Sequence, residues 1–407
     1  MSMASKHALV FGASGISGIP LLRHLLPSTP FTRVTGLTAR PLTLSAKEQE
    51  VFQIDTSSPK LQLVPGLDLS KPTEEVKQFL QDNVRDIATV SHVFFVAYKE
   101  IASDLQEQAR INIAFVRHAV EALNALCPDT LELVVLQTGG KYYGVEFQDE
   151  ITLKAPLKEE TPRQPEPYSK QIFYYGQVDV LKQLSQGRRW TWVEVRPDAI
   201  IGTVPRGNFM NLAAGLAIYL SVKAALQPAS TVPFPGTAQG YKTTHTDTDH
   251  DLMARFEIDL ALKATASADA KAKASSYSPL LTEKAYNIAN GDVVSWETKW
   301  PGLCAYFGLK GAPPGPPGQT EDMKQYVAKN KAEYLAKASN KAPNAQGNLD
   351  TAESALVFTA LVCSFGKQNR EYDLSNAREL VGFTETIDSV KSFAAQFDKM
   401  KALGLIA

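Results

Sequence analysis

Cysteine is scarce in these 407 residues: only Cys127, Cys304 and Cys363 occur. An odd, scattered set supports neither a disulfide framework nor a cysteine metal cluster, and it suits a reducing compartment. An excess of either charge is also missing. The 42 Lys and Arg nearly balance the 43 Asp and Glu, for a formal net charge of −1. No block of five or more Lys or Arg occurs, so nucleic acid and anionic membranes are not expected partners. No apolar run approaches the ~18–20 residues of a membrane span. The sequence MSMASKHALVFGASG enters a strand pattern within about ten residues, which leaves no room for a signal or transit peptide. A cytoplasmic protein that acts on a small molecule is expected. A homodimer is left open.

What is present is alternation. Strand-length apolar runs HALVF (7–11), RVTGLTA (33–39), LQLVPGLDL (61–69), HVFFVA (92–97), LELVVLQ (131–137) and WTWVEVRP (190–197) recur. Between them lie helical patterns at 16–26, 74–82, 104–123 and about 170–187. Continuously apolar strands separated by helices predict a parallel sheet covered on both faces, an α/β, Rossmann-type, doubly wound fold. After about 203 the rhythm breaks. Residues 208–226 are apolar on most sides of a helix. THTDTDHDLMARFEIDLALK (244–263) reads as a capped helix, and KAYNIAN (284–290) as a strand returning to the sheet. ATASADAKAKASSYS (264–278) reads as an exposed insertion and GAPPGPPGQ (311–319) as a rigid loop. The predicted organisation is a dinucleotide-binding core over 1–203 and a mostly helical substrate-binding part over 204–407.

FGASGISG (11–18) follows the first strand and opens a helix. Gly12 allows a tight turn, Gly15 admits a pyrophosphate to the backbone, and Gly18 lets the helix pack closely. The helix N-terminus, with Ser14 and Ile16 in the turn, offers N–H groups to phosphate. After the second strand stands Arg40, with no acid before Glu48. A ribose 2′-hydroxyl calls for an acid there and a 2′-phosphate for an arginine, so NADP(H) is favoured. Asp68 and Leu69 follow the third strand, where an acid can meet the adenine amino group. Ligands of open α/β sheets bind beyond the C-terminal strand ends. Val96, Ala97, Gln137, Thr138, Gly139, Pro197 and Ile200 belong to such ends.

A reductase of this type needs an acid near the carbonyl oxygen and positive charge for the oxyanion. Short-chain dehydrogenases supply both from Tyr-x-x-x-Lys on one helix. FYYGQVDVL (173–181) lacks that pattern, since Val178 and Asp179 stand four residues after Tyr174 and Tyr175. Matches at Tyr219–Lys223 and Tyr306–Lys310 fall beyond the sixth strand. Lys141, in LQTGGKYYGVEF (136–147), can supply from the neighbouring strand end the cation that the helix lacks. Phe209, Met210, Leu216 and Tyr219 suggest an apolar wall. HTDTDHD (245–251) has metal-ligand residue types, but Thr248 or Asp249 capping a helix accounts for it, and no metal is expected.

FGASGISG, Arg40, HVFFVAYK, QTGGKYYGVEF, FYYGQVDVL, WTWVEVRPDAIIG, VPFPGT and KAYNIANGDVVSWE occur in one order over most of the chain. In this the chain resembles the progesterone 5β-reductase/iridoid synthase-like (PRISE-like) branch of the short-chain dehydrogenases. The resemblance implies an NADPH-dependent enzyme that reduces the C=C bond of enones or enals in a biosynthetic pathway. It places the catalytic lysine and tyrosine on Lys141 and Tyr175. Carbonyl reduction and a non-catalytic NADP(H) sensor are the alternatives. The chain departs from the family pattern at Ile172, at Val178–Asp179, and at Val145–Glu146, where the family carries Gly-Pro.

Overall fold

A computed structural model describes residues 5–101, 103–207, 209–266 and 277–407. Most of the predicted insertion at 264–278 therefore lies outside the described residues. Successive residues of β1 (Lys6–Phe11) point to opposite faces of the sheet. Ala8 and Val10 join a core with Leu22, Leu252 and Phe256. Leu9 and Phe11 join another with Val116, Val120 and Leu181. Both faces are buried, which is why the strand is apolar throughout.

The same pattern builds β2 (Phe31–Thr38), β3 (Leu61–Pro65), β4 (His92–Phe95), β5 (Leu133–Gln137) and β6 (Thr191–Pro197). The strand Lys284–Ile288 completes a seven-stranded sheet beside β6, in the order Lys284–Ile288, β6, β5, β4, β1, β2, β3. All its pairings are parallel. The connecting helices are α1 (Gly18–Leu25), α2 (Ala46–Phe52), α3 (Thr73–Asn83), α4 (Leu105–Leu126) and α5 (Phe173–Ser185). The helix α1 and the helix His250–Ala264 cover one face; α3, α4 and α5 cover the other. This is the Rossmann-type fold expected.

The differences are local and have local causes. The short α2 was not anticipated, although Ser45 and Glu48 form a capping box at its start. The strands at 61–69 and 92–97 stop at Pro65 and Phe95, and the residues beyond turn outward at the sheet's C-terminal edge. In 244–263 the helix begins only at His250, because Asp247–Asp249 pairs as a short strand with Ala199–Ile201. Asp249 is its cap, accepting from the N–H groups of Asp251 and Leu252 at 2.9 and 3.1 Å. Thr248 donates to the Ile288 carbonyl instead, at 3.0 Å. The predicted loop at 311–319 begins as a strand, Lys310–Ala312, against Thr231–Pro233.

A second core surrounds α6 (Leu212–Leu226), which is buried on most sides by the helices Met323–Ala338, Glu353–Ser364 and Ser389–Ala402. Such enclosure explains a helix with almost no polar face. Both stray Tyr-x-x-x-Lys matches tie this bundle together. The Tyr219 hydroxyl and Lys223 ammonium donate to the two oxygens of Glu321 at 2.7 and 2.9 Å. Tyr306 donates to Asp398 at 2.5 Å.

Glu257, on His250–Ala264, is fully buried, and neither carboxylate oxygen has a partner among the described residues. Burial pushes its pKa up to about 8. The unfolded chain ionises this group near the ordinary carboxylate value. Its contribution to stability is therefore complete below that value and is lost as pH rises toward 8. Glu257→Gln is expected to flatten the fall in Tm from about pH 5 to about pH 8, relieving up to roughly 1.4 kcal/mol per pH unit. Melting curves of equal slope for both proteins across that range would contradict it.

Candidate active site

The turn between β1 and α1 leaves no room for side chains at two positions. Gly12 has φ 89°, and a Cβ there would stand 2.9 Å from the Ala97 nitrogen. A Cβ on Gly18 would stand 2.3 Å from the Gly12 carbonyl oxygen. Gly18 does not border the open space; it presses α1 onto the turn. The N–H groups of Ser14 and Ile16 have no acceptor among the described residues. They sit at the N-terminal end of α1, where a phosphate finds donors and a favourable dipole.

This turn opens into a cavity of about 1330 Å³. Gly12, Ser14, Gly15 and Ile16 line it, as do Arg40, Asp68, Leu69, Val96 and Ala97. Gln137, Thr138, Gly139, Pro197 and Ile200 complete that half. A turn too tight for side chains, unpaired N–H groups and a long groove across the strand ends fit a dinucleotide. Arg40 is exposed and makes no side-chain hydrogen bond among the described residues. Asp68 Oδ1 accepts from the Ser70 hydroxyl and N–H at 2.6 and 2.9 Å. These bonds hold its carboxyl below the usual pKa, and they leave Oδ2 for a ligand.

Lys141 lies in a single 3₁₀ turn, Gly140–Tyr143, just past β5. Its ammonium is 2.8 Å from Glu146 Oε1 and 3.4 Å from the Tyr98 hydroxyl. Tyr98 stacks on Phe173, with centroids 5.6 Å apart, and its hydroxyl bonds Glu100. Lys141, Glu146, Tyr98 and Phe173 all border the cavity.

The tyrosine that faces this space is Tyr174, not Tyr175. Tyr174 lines the cavity, and its hydroxyl has no hydrogen-bond partner among the described residues. It lies at the end of β5, about 3.5 Å from where a Cβ on Gly139 would stand. Burial raises its pKa, and the Glu146 and Glu194 charges add to the shift. Tyr175, expected as the catalytic group, points away. Its hydroxyl donates to the Tyr142 carbonyl at 2.7 Å and accepts from the Gln164 N–H at 2.9 Å. Arg163 covers its ring at 5.0 Å and pairs with Asp179 one turn on. The helix phase held the clue. Asp179, four residues after Tyr175, is exposed, whereas Gln177, three after Tyr174, is buried and borders the cavity.

The loop carrying Lys141 is anchored from β6. Glu194 Oε1 accepts from the Thr138 hydroxyl at 2.7 Å and from Arg196 Nε at 2.9 Å; its Oε2 accepts from the same guanidinium at 2.8 Å. The Arg196 guanidinium lies 3.3 Å from the Tyr142 ring centre. In the far half of the cavity, Phe209, Met210, Phe358, Leu361 and Phe365 form an apolar wall. Phe209 and Met210 precede α6, while Leu216 and Tyr219 are sealed in the second core and border no part of it. Sequence reasoning missed Tyr98, Asp198 and Arg370, which also line the space. HTDTDHD carries structural pairs: Asp247 with Lys299 at 2.5 Å, and Asp251 with Arg23, His24 and Lys399. No helix is long and apolar enough to cross a membrane among the described residues.

A Rossmann sheet with this glycine turn, and a lysine and tyrosine at the strand ends, defines an oxidoreductase of the short-chain dehydrogenase type. The chain belongs to the PRISE-like Rossmann-fold domain family, which matches residues 8–407. It is 34% identical to the short chain dehydrogenase ausT of Aspergillus calidoustus, across 99% of this chain and 95% of that protein. It is 35% identical to the short chain dehydrogenase sirS of Leptosphaeria maculans, across 78% and 75%. Identity is 25% with an (S)-8-oxocitronellyl enol synthase, ISY1, of Nepeta racemosa, across 74% and 69%. Among solved structures, a UDP-glucuronic acid 4-epimerase of Bacillus cereus in complex with NAD shares the fold, at TM-score 0.59 and 15% identity over 98% of this chain and 99% of that one.

Phenylalanine at position 175 removes the hydroxyl that joins two loops. Tyr175→Phe is expected to cost about 1–2 kcal/mol in urea unfolding, because it strands a buried carbonyl and N–H. Tyr174→Phe is expected to stay within about 0.5 kcal/mol of wild type. The reverse order would show that Tyr174 is the tethered residue.

Proposed function

We propose that this protein is an NADPH-dependent reductase of α,β-unsaturated carbonyl compounds, acting on the C=C bond of an apolar enone or enal. One observation carries the reading: Tyr174, with its hydroxyl unpartnered and its pKa raised, borders the same cavity as Lys141 and the phosphate turn. Bound NADPH would supply hydride to the β-carbon. Tyr174 would donate a hydrogen bond to the carbonyl oxygen and so stabilise the enolate. A phenol is protonated at neutral pH, and burial reinforces this by raising its pKa. Lys141 would add an N–H donor from the loop, and the apolar wall would limit water around the forming enolate. Support for NADPH over NADH comes from Arg40, exposed at the cavity edge with no acid between it and Glu48. The enol synthase relative supports C=C chemistry over plain carbonyl reduction.

The test is NADPH oxidation with a panel of small enones, with product analysis to separate C=C from C=O reduction. Tyr174→Phe is expected to lower kcat about 100-fold or more, and Lys141→Ala about 10–100-fold. Unchanged turnover in both variants would remove the assignment. A folded Tyr175→Phe that loses more kcat than Tyr174→Phe would return the catalytic role to Tyr175. For the cofactor, Arg40→Ser is expected to weaken NADPH binding roughly tenfold or more while leaving NADH affinity within about twofold. Equal losses for both cofactors would separate Arg40 from the 2′-phosphate.

A further inference from the structure

The dinucleotide cavity and a neighbouring cleft of about 600 Å³ share Arg206, Gly207 and Thr351 in their linings. Arg206 follows the strand Ala199–Ile201, yet its guanidinium reaches the segment between β2 and α2. Nη2 donates to the Thr43 carbonyl at 3.0 Å. Nη1 donates to Glu48 Oε1 and to the Pro205 carbonyl, each at 2.8 Å. Thr43 stands three residues past Arg40, so no more than about 11 Å of chain separates them. The guanidinium therefore sits beside the same end of the cavity as Arg40.

Glu48 is the first acid after β2. Burial alone would raise its carboxyl pKa, but the Ser45 bonds and the Arg206 guanidinium outweigh burial and hold it below the ordinary value. It is an anion at neutral pH. Its Oε2 accepts from the Ser45 N–H and hydroxyl at 2.8 Å each, and Arg206 takes Oε1. Lys47 pairs with Glu50 instead, at 3.1 Å. Among the described residues Arg206 is thus the cation bonded to Glu48. The order of the two groups matters. Arg206 borders the dinucleotide cavity, whereas Glu48 borders only the neighbouring cleft. The cation stands on the cofactor side of the acid.

The two nicotinamide cofactors differ in what they ask of such an acid. A ribose 2′-hydroxyl is a donor and is served by a carboxylate; a 2′-phosphate is an anion and is repelled by one. The Arg206 side chain is 61% exposed, and an ion pair of that kind adds little to stability. Its main consequence is the charge that this end of the cavity presents. We propose that Arg206 is a cofactor-selecting residue: by bonding Glu48 it withholds this acid from a 2′-hydroxyl and cancels its repulsion of a 2′-phosphate. Arg206 acts through Glu48, as a positioning residue, while Arg40 meets the phosphate. This deepens the reductase reading and rests on it for the place of the adenosine ribose beside Arg40.

Dissociation constants of NADPH and NADH, measured by calorimetry, test the selector without turnover. The proteins are wild type, Arg206→Gln, Glu48→Gln and the pair Arg206→Gln with Glu48→Gln. Glutamine can keep the capping box of α2, so Glu48→Gln preserves the helix start. Wild type is expected to bind NADPH roughly tenfold or more tighter than NADH. Arg206→Gln should lower that ratio about fivefold or more, because a bare Glu48 then faces the cofactor. The pair should return the ratio to within about twofold of wild type, and so should Glu48→Gln alone. A merely structural Arg206 would cost both cofactors alike and would not be rescued by removing the acid. An unchanged ratio in Arg206→Gln, or a loss that the pair does not recover, overturns the proposal. If wild type prefers NADPH through Arg40 alone, the ratio falls in Arg40→Ser and stays in Arg206→Gln; the selector is then wrong and the NADPH reading stands. If wild type binds both cofactors equally but the ratio still falls in Arg206→Gln and recovers in the pair, the NADPH reading is wrong and the selector stands.

Discussion

The buried pair of Glu194 and Arg196 is the contact on which the site depends. The two residues are neighbours on one face of β6, with side chains 2% and 3% exposed. Burying two charges is costly unless both are saturated, and here both are. Glu194 takes the Thr138 hydroxyl as well as the guanidinium. Arg196 reaches the Glu159 carbonyl and the Tyr143 hydroxyl and lies flat on Tyr142. Tyr143 in turn donates to Asn287 on the returning strand at 2.6 Å. One ion pair therefore fixes the end of β5, the turn that carries Lys141 and the strand that closes the sheet. A residue argued to hold charge at a reacting atom must sit on something this rigid. Removing one partner would leave the other charged and buried, at a cost of several kcal/mol.

The cavity is a consequence of topology. In a parallel sheet all C-terminal ends lie on one edge, and every β–α connection must turn there. The glycine turn, Arg40, Asp68, Val96, Gly139 and Pro197 are such turns seen in sequence order. The second half of the chain then supplies what a flat sheet edge lacks, a wall. Phe209, Phe358 and Phe365 come from the entry to α6 and from Glu353–Ser364 and its exit. That bundle is locked to the sheet by buried polar contacts. Asp249 Oδ2 accepts from Ser392 at 2.7 Å, and Asp247 pairs with Lys299.

What was legible in the sequence was whatever local geometry dictates. Continuously apolar strands, the β1–α1 turn and Arg40 follow from burial and from turn chemistry. They needed no knowledge of distant residues. The choice between Tyr174 and Tyr175 was different. Both are aromatic residues on the first turn of α5, Tyr174 half-buried and Tyr175 buried, and helix phase there depends on where the helix starts. That start has no side-chain cap to mark it, and Ile172 precedes it. Only the exposure of Asp179 beside Tyr175 hinted at the answer. Arg370 was not legible at all. Its place beside the cavity depends on meeting Asp198, 172 positions earlier, through a loop with no periodicity. The same holds for Lys299 with Asp247, whose HTDTDHD setting looks like metal ligands until the lysine is placed.

The pairing of charges has a chemical consequence. Lys141 is 2.8 Å from Glu146, and Arg370 is bonded to Asp198. These two cations of the cavity lining thus each carry a carboxylate. Net positive charge is then a weak source of oxyanion stabilisation, because each field is largely cancelled at a distance. What survives cancellation is directional: an O–H from Tyr174 and N–H groups from the faces of Lys141 and Arg370 not used by their acids. Directed donors stabilise a localised oxygen without reorganising, which is what the proposed enolate requires. Glu146 takes part in this balance. It moderates the lysine, and its negative charge adds to the burial that raises the Tyr174 pKa, so the phenol gives up its proton reluctantly. Under the proposed reaction, such a site favours a hydrogen bond to the enolate oxygen over full proton transfer to it. The proton that would complete the proposed reduction then has to reach the α-carbon by another route.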